Sequence, residues 1–170
     1  MQRHMLKSKV HRATITARDC DYVGSITLDP ELMRAADLLV NEQVHVWDIA
    51  NGARFVTYAI EGEPGSGEVQ VNGAAALLVN PGDKVIVASF AAYDERDLER
   101  YSPVVVHVDD ANAIVRIDSD PSVLLDSPRA SRAAVGAGDA LGSPSPAGRK
   151  HAHEAGFAGV PGSLLPGADR

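Results

Sequence analysis

The sequence predicts a mainly β domain, a closed or nearly closed barrel carrying a few short helices. Three observations lead there. Short runs of alternating apolar and polar residues recur through about the first 120 residues. An Asn51-Gly52 pair splits two of these runs in the manner of a hairpin, and few helical stretches interrupt them. Many short strands in a small domain favour closure, because closure removes exposed strand edges.

Val10 to Thr16 alternates and reads as the first strand. At Asp29 a helix is expected: Asp29 caps, Pro30 takes the first helical position, and Leu32, Ala35, Ala36 and Leu39 share one face. Gln43 to Ala50 and Ala53 to Ile60 are strands on either side of the Asn51-Gly52 turn. A further strand is expected at Gly67 to Val71, then a short helix after Asn72-Gly73, from Ala74 to Val79, stopped by Pro81-Gly82. The last strands are Lys84 to Ala91, Pro103 to Val108 and Ala113 to Ile117.

The chain has 170 residues, 45% hydrophobic and 23% charged, which bounds it to one globular domain of ordinary size. From Ser127 onward, 28 of the last 44 residues are Ala, Gly, Pro or Ser. Such a segment buries too little apolar surface to offset an ordering cost of roughly 1–2 kcal/mol per residue, so residues 121–170 read as a disordered tail behind a domain at 1–120. His151 and His153 then form an exposed pair rather than metal ligands, since no carboxylate or thiol framework accompanies them. The net charge of −7 argues against nucleic acid as a partner. It is concentrated in residues 1–126, which hold 11 Lys/Arg against 20 Asp/Glu. No apolar run approaches the roughly 20 residues of a membrane span. The opening MQRHMLKSKVHR lacks the apolar stretch of a secretory signal and runs straight into the strand VHRATIT. A single cysteine, Cys20, fits a reducing compartment, and a cytoplasmic location is expected.

Three clusters set chemistry-bearing residues among apolar ones: Lys9, His11 and Arg12; Tyr22-Val23-Gly24-Ser25; and Arg54 with Thr57-Tyr58, leading to Asn72-Gly73-Ala74-Ala75. Taken singly, each reads as well as a solvated strand face, strand filler or a turn. Ser25 as a hydrolase nucleophile finds little support. VGSITL is no Gly-x-Ser-x-Gly elbow, and the parallel sheet that such an elbow needs is not predicted.

Together the clusters resemble a known family. HRATIT, YVGSITLD, NEQVHVWD, NGARFVTYAI, VNGAAA and PGDKVIVASF occur in the order and spacing of the pyruvoyl-dependent aspartate 1-decarboxylases, over about residues 1–118. The resemblance implies a six-stranded double-psi β-barrel, a homotetramer with active sites between neighbouring subunits, and L-aspartate as substrate. It also implies a proenzyme that cuts itself between Gly24 and Ser25, spontaneously or with a maturation factor, leaving a pyruvoyl group where Ser25 stood. That covalent group forms a Schiff base with aspartate, whose α-carboxylate leaves as CO2 and whose remainder is released as β-alanine for pantothenate synthesis. Neither a metal nor pyridoxal phosphate is called for.

By the same resemblance, Thr57 supports the Gly24 carbonyl during the cut, and Tyr58 returns a proton after CO2 leaves. Lys9 and Arg54 meet the two carboxylates of aspartate, Thr57, Asn72, Gly73, Ala74 and Ala75 line the substrate, and His11, Tyr22 and Trp47 complete the pocket. The residue types suit these roles. A glycine before the cut leaves its carbonyl unhindered, and a guanidinium grips a carboxylate through two parallel bonds. The sequence departs from the family at Pro64, where many relatives carry arginine, and at Leu77, where histidine is frequent. Two other readings stay open beside this one: a barrel without activity that serves as a binding module, and a pyruvoyl decarboxylase for another amino acid.

Overall fold

The structure is a computed structural model and describes residues 1–123. Except for Pro121, Ser122 and Val123, the expected tail lies outside the described residues, as do His151 and His153. The strands are β1 (Arg3–Thr14), β2 (Ala17–Asp19), β3 (Ser25–Leu28), β4 (Gln43–Asp48), β5 (Arg54–Glu61), β6 (Val69–Asn72), β7 (Lys84–Tyr93), β8 (Val104–Val108) and β9 (Ile114–Asp118). Helix α1 (Pro30–Ala35) follows β3, a 3₁₀ helix (Gly73–Leu78) follows β6, and α2 (Glu95–Leu98) follows β7. The mainly β expectation holds. Among the described residues no helix is long and apolar enough to cross a membrane.

Hydrogen bonds order the sheet as β2-β6-β3-β5-β4-β7-β1-β8-β9. β2, at one end, is the continuation of β1 past Ile15 and Thr16, and the Thr16 N–H donates to the Val69 carbonyl at 2.8 Å. The sheet thus returns to a strand it has already passed. β1 with β2, then β6, β3, β5, β4 and β7, make one circuit, and β8 and β9 extend from β1 outside it. Nine strands are joined where the resemblance implies a barrel of six, because β2 counts apart from β1 and β8 and β9 are additional.

Alternation along the strands decides what fills the circuit. Val10, Ile26, Leu28, Val44, Val46, Ala59, Val69, Val71, Val85 and Val87 point inward and are fully buried. Each large aliphatic side chain so buried is worth roughly 1.5–3 kcal/mol. The intervening residues of β3, β4, β5 and β6, among them Ser25, Trp47, Arg54, Tyr58 and Asn72, fall on the outer face.

Several expectations need correcting. β1 starts at Arg3 rather than Val10, because the charged opening pairs along β7 from Arg3↔Tyr93 to Lys9↔Ala88. Helix α1 ends at Ala35 and does not reach Leu39, which is 70% exposed. Asp37 there adopts φ 50 and Leu38 turns inward instead. The β4–β5 connection is not a two-residue Asn-Gly turn but a five-residue loop, residues 49–53. The buried Asp48 carboxylate organises it, accepting from Ala50 N at 2.7 Å and from Asn51 Nδ2 at 3.1 Å. The helix expected over Ala74–Val79 is the 3₁₀ turn Gly73–Leu78, with Val79 already extended.

Candidate active site

Ser25 opens β3, and its side chain is 1% exposed. β3 runs antiparallel to β6 with Ser25 opposite Asn72. The fully buried Asn72 amide points its Nδ2 at Ser25 Oγ (3.0 Å) and at Thr27 Oγ1 (3.0 Å). The Ser25 hydroxyl also lies 3.3 Å from the Val23 carbonyl, to which it donates. Before it, Gly24 is open: a Cβ built there would meet no atom within 4 Å. Gly73 is the reverse. Its φ is +63, and a Cβ there would stand 2.7 Å from Gly24 Cα and 3.1 Å from Gly24 N. Only glycine combines that conformation with so close an approach, so Asn72-Gly73 fixes both the hydroxyl of Ser25 and the backbone ahead of it. Tyr22 and Val23, leading in, are exposed, and Ala74 is exposed and Ala75 half-buried on the 3₁₀ turn.

On its other side β3 runs parallel to β5, with Ile26 beside Ala59. Extended back beyond its first pair, that register would set Ser25 toward Tyr58 and Gly24 toward Thr57. Thr57 and Tyr58 line a hollow of ≈ 540 Å³ together with Asn41, Gln43 and Val56. Arg54 and Trp47 are cross-strand partners on the same outer face, with the guanidinium carbon 5.2 Å from the centre of the indole. That stacking holds the arginine without consuming its donors.

Lys9 and His11 sit elsewhere on the circuit. β1 pairs with β7 and β8, and neither of those strands pairs with β3, β5 or β6. The Lys9 ammonium donates to the Pro121 carbonyl at 2.8 Å. Burial lowers its pKa, with the negative charges of Asp118 and Asp120 opposing. His11 is 8% exposed, and neither ring nitrogen has a hydrogen-bond partner among the described residues. Its ring meets His107 edge-on at 5.6 Å, and His107 Nε2 lies 3.1 Å from Asp118 Oδ2. Burial first, then the charges of Lys9, His107 and Arg12, lowers the His11 pKa to about 4. Within one chain, then, the fold gathers Gly24, Ser25, Asn72 and Gly73, sets Thr57 and Tyr58 on the adjoining strand β5 with Arg54 and Trp47 further along, and leaves Lys9 and His11 on β1.

Residues 1–115 match the model of a family described as Aspartate decarboxylase. The chain belongs to that family. Its relatives include the Aspartate 1-decarboxylase of Mycolicibacterium smegmatis, 58% identical over 122 residues that span 72% of this chain and 90% of the relative. A crystal structure of the rationally designed mkDPBB_sym_86 protein is also similar, at 20% identity and a TM-score of 0.36, over 45% of this chain and 90% of that one. The aspartate decarboxylase match ends at residue 115, so the Pro121 carbonyl that holds Lys9 lies beyond it.

Sequence reasoning overlooked two residues bonded to Asn72 beside Ser25, Gln70 and Thr27. Gln70 Nε2 donates to Asn72 Oδ1 at 2.8 Å, and Thr27 receives the second Asn72 N–H. A signal was present: in VQVN, Gln70 and Asn72 alternate with Val69 and Val71, which puts both amides on one face of a strand.

Proposed function

We propose that this chain decarboxylates L-aspartate to β-alanine, using a pyruvoyl group that it makes from its own Ser25. The observation that carries this reading is the buried Ser25 hydroxyl, tethered by Asn72 beside an unencumbered Gly24. A serine so held suits the group. Its oxygen is fixed next to the one peptide it must attack, and the preceding carbonyl has no side chain over it.

In the cut, Ser25 Oγ adds to the Gly24 carbonyl carbon, and the amide C–N bond gives way to an ester. Loss of the Ser25 α-proton then expels the Gly24 carboxylate from Cβ, and one water replaces the nitrogen, which departs as ammonia. Backbone strain of about 1–3 kcal/mol at such a bond gives only one to two powers of ten in rate. Donors to the developing oxyanion must supply more, and Thr57, beside Gly24 in the register, is the side chain assigned to it. The pyruvoyl group, once present, supplies a ketone conjugated with an amide carbonyl, which accepts an amine and the electrons released with CO2.

The rest is the work of side chains. Arg54, braced by Trp47, takes one substrate carboxylate and Lys9 the other. Asn72, Gly73, Ala74 and Ala75 let backbone groups approach the bound amino acid, and His11 and Tyr22 close the pocket. Tyr58 delivers a proton from its hydroxyl to the α-carbon after CO2 leaves. Lys9 stands on β1, whose partners β7 and β8 do not pair with β3, and the Lys9 that serves a given Ser25 is assigned to a neighbouring subunit. A homotetramer with sites between subunits meets that need. The same proposal assigns residues 1–120 to the decarboxylase domain and, from the single cysteine, places the enzyme in the cytoplasm.

Intact mass spectrometry tests the reading. The mature protein is expected as two pieces, one ending at Gly24 and one beginning at residue 25, blocked to Edman degradation and lighter by ammonia than a serine start. Folded protein that stays one continuous polypeptide after prolonged warm incubation, with any maturation factor supplied, would sink it. Release of CO2 from glutamate in place of aspartate would instead favour a pyruvoyl decarboxylase of different specificity.

A further inference from the structure

The two ends of the Asn72 amide meet different partners. Its Oδ1 receives Gln70 Nε2 at 2.8 Å, while its Nδ2 reaches Ser25 Oγ and Thr27 Oγ1, each at 3.0 Å. The Ser25 hydroxyl directs its one proton to the Val23 carbonyl at 3.3 Å and so accepts from Asn72, whereas Thr27 can take either role. Gln70 reinforces that orientation: it presents its Nε2, which can only donate, to the Oδ1 of the fully buried Asn72.

We infer that Gln70 is a positioning residue for self-cleavage, holding Asn72 so that its N–H rather than its carbonyl faces Ser25. This rests on the reading of Ser25 as the cleavage nucleophile. An N–H on Oγ stabilises the negative charge that develops there as the hydroxyl proton leaves, and it stays beside the same oxygen when that oxygen departs with the Gly24 carboxylate. An amide turned over would offer Ser25 an acceptor, which retains the hydroxyl proton and opposes charge on Oγ. Thr27 shares the donor and keeps the amide plane aligned with β3.

Gln70→Glu is the probe, because it changes one atom and makes the effect titratable. An ionised carboxylate accepts only, so it turns the Asn72 amide over, whereas a protonated one, below an ordinary pKa of about 4.3, can donate as Gln70 does. The full-length precursor of wild type and variant would be followed by intact mass at matched pH from about 4 to 8. Arg18 and Asp19 on β2, Tyr58 and Glu61 on β5, Glu68 ahead of β6, and Tyr22 are the charged or titratable groups around the site. They are common to both proteins and drop out of the ratio of rates.

The variant is expected to cut about tenfold more slowly than wild type at pH 8, and within about threefold of it at pH 4. A ratio near one at pH 8, or one as large at pH 4 as at pH 8, overturns the inference. Gln70→Leu guards against a misfolded probe. It is expected to cut more slowly than wild type at every pH with unchanged far-ultraviolet circular dichroism, and a folded Leu variant that cuts at the wild-type rate also overturns the inference. Wild type that never cuts removes the reading of Ser25 and this inference with it, whereas wild type that cuts beside an indifferent Gln70→Glu defeats the inference alone.

Discussion

Gly73 and His11 show how much a single residue can constrain. A methyl group at Gly73 would have to displace the Gly24 backbone in a conformation that costs a side chain about 1 kcal/mol or more. Gly73→Ala is therefore expected to lower the melting temperature by several degrees and to leave most of the chain uncut, as read on a denaturing gel. His11 makes a different prediction. With a folded pKa of about 4 against 6.5 in the unfolded chain, it binds a proton more readily unfolded. Its contribution is intact above about pH 6.5 and is lost as the pH falls toward 4. Melting temperatures measured across that window should decline, and His11→Leu should flatten the decline. At this scale the sequence was legible where residue type and chemistry coincide, as at Gly24-Ser25 and Asn72-Gly73. It was silent on Gln70 and Thr27, whose part depends on which side chains a strand pairing brings opposite one another.

The elements that place these residues rest on a few buried polar anchors. Asp29 caps α1 through Glu31 N at 2.8 Å and also accepts from Gly67 N at 2.8 Å and Gly65 N at 3.2 Å, tying the loop before β6 to the end of β3. Burial raises its pKa, but these backbone donors outweigh that and hold the carboxyl below its usual range. The lowered value means that its contribution is complete above about pH 4 and fades as the pH drops further. Asp29→Ala removes the cap and the acceptor for the Gly65 and Gly67 N–H groups, a loss of about 1–2 kcal/mol that a shift in urea midpoint would report. Asp29-Pro30 announced its helix plainly. The extent of that helix was not legible, because the turn at Asp37 depends on Leu38 finding the core. Short β2 and β3 were missed for a related reason: three or four residues carry too little periodicity, and their pairing with β6 defines them. The helix α2 was legible in principle, since Asp94 and Asp97 form a reciprocal cap readable from DERD.

For the molecule as a whole, the outer face of β4, β5 and β7 matters most. It carries the exposed Val56 and Phe90 with Trp47 and His45, and Phe90 meets His45 at 5.2 Å and Trp47 at 6.4 Å. Arg54 and Tyr58 share this face, so the surface that would meet a neighbouring subunit is also the one proposed to bind substrate. Val56→Glu places a charge there without touching the core. It is expected to reduce the sedimentation coefficient below that of a tetramer and to remove most decarboxylation, with secondary structure unchanged by circular dichroism. The closed mainly β architecture was foreseeable from alternation and turns. The return of the sheet through β2 was not, because it depends on Thr16 bonding to Val69, 53 positions away.

The place proposed for the cut within this circuit would have a consequence for refolding. Residues 1–24 contain all of β1 and β2, which are clasped by β7 and β8 along one stretch and by β6 along another. Severed from the remainder, this leading piece stays lodged as a non-covalent wedge that completes the barrel. Once melted, the two pieces drift apart, and reassembly becomes a bimolecular encounter whose yield depends on dilution, whereas the uncut precursor refolds as a single molecule at any concentration.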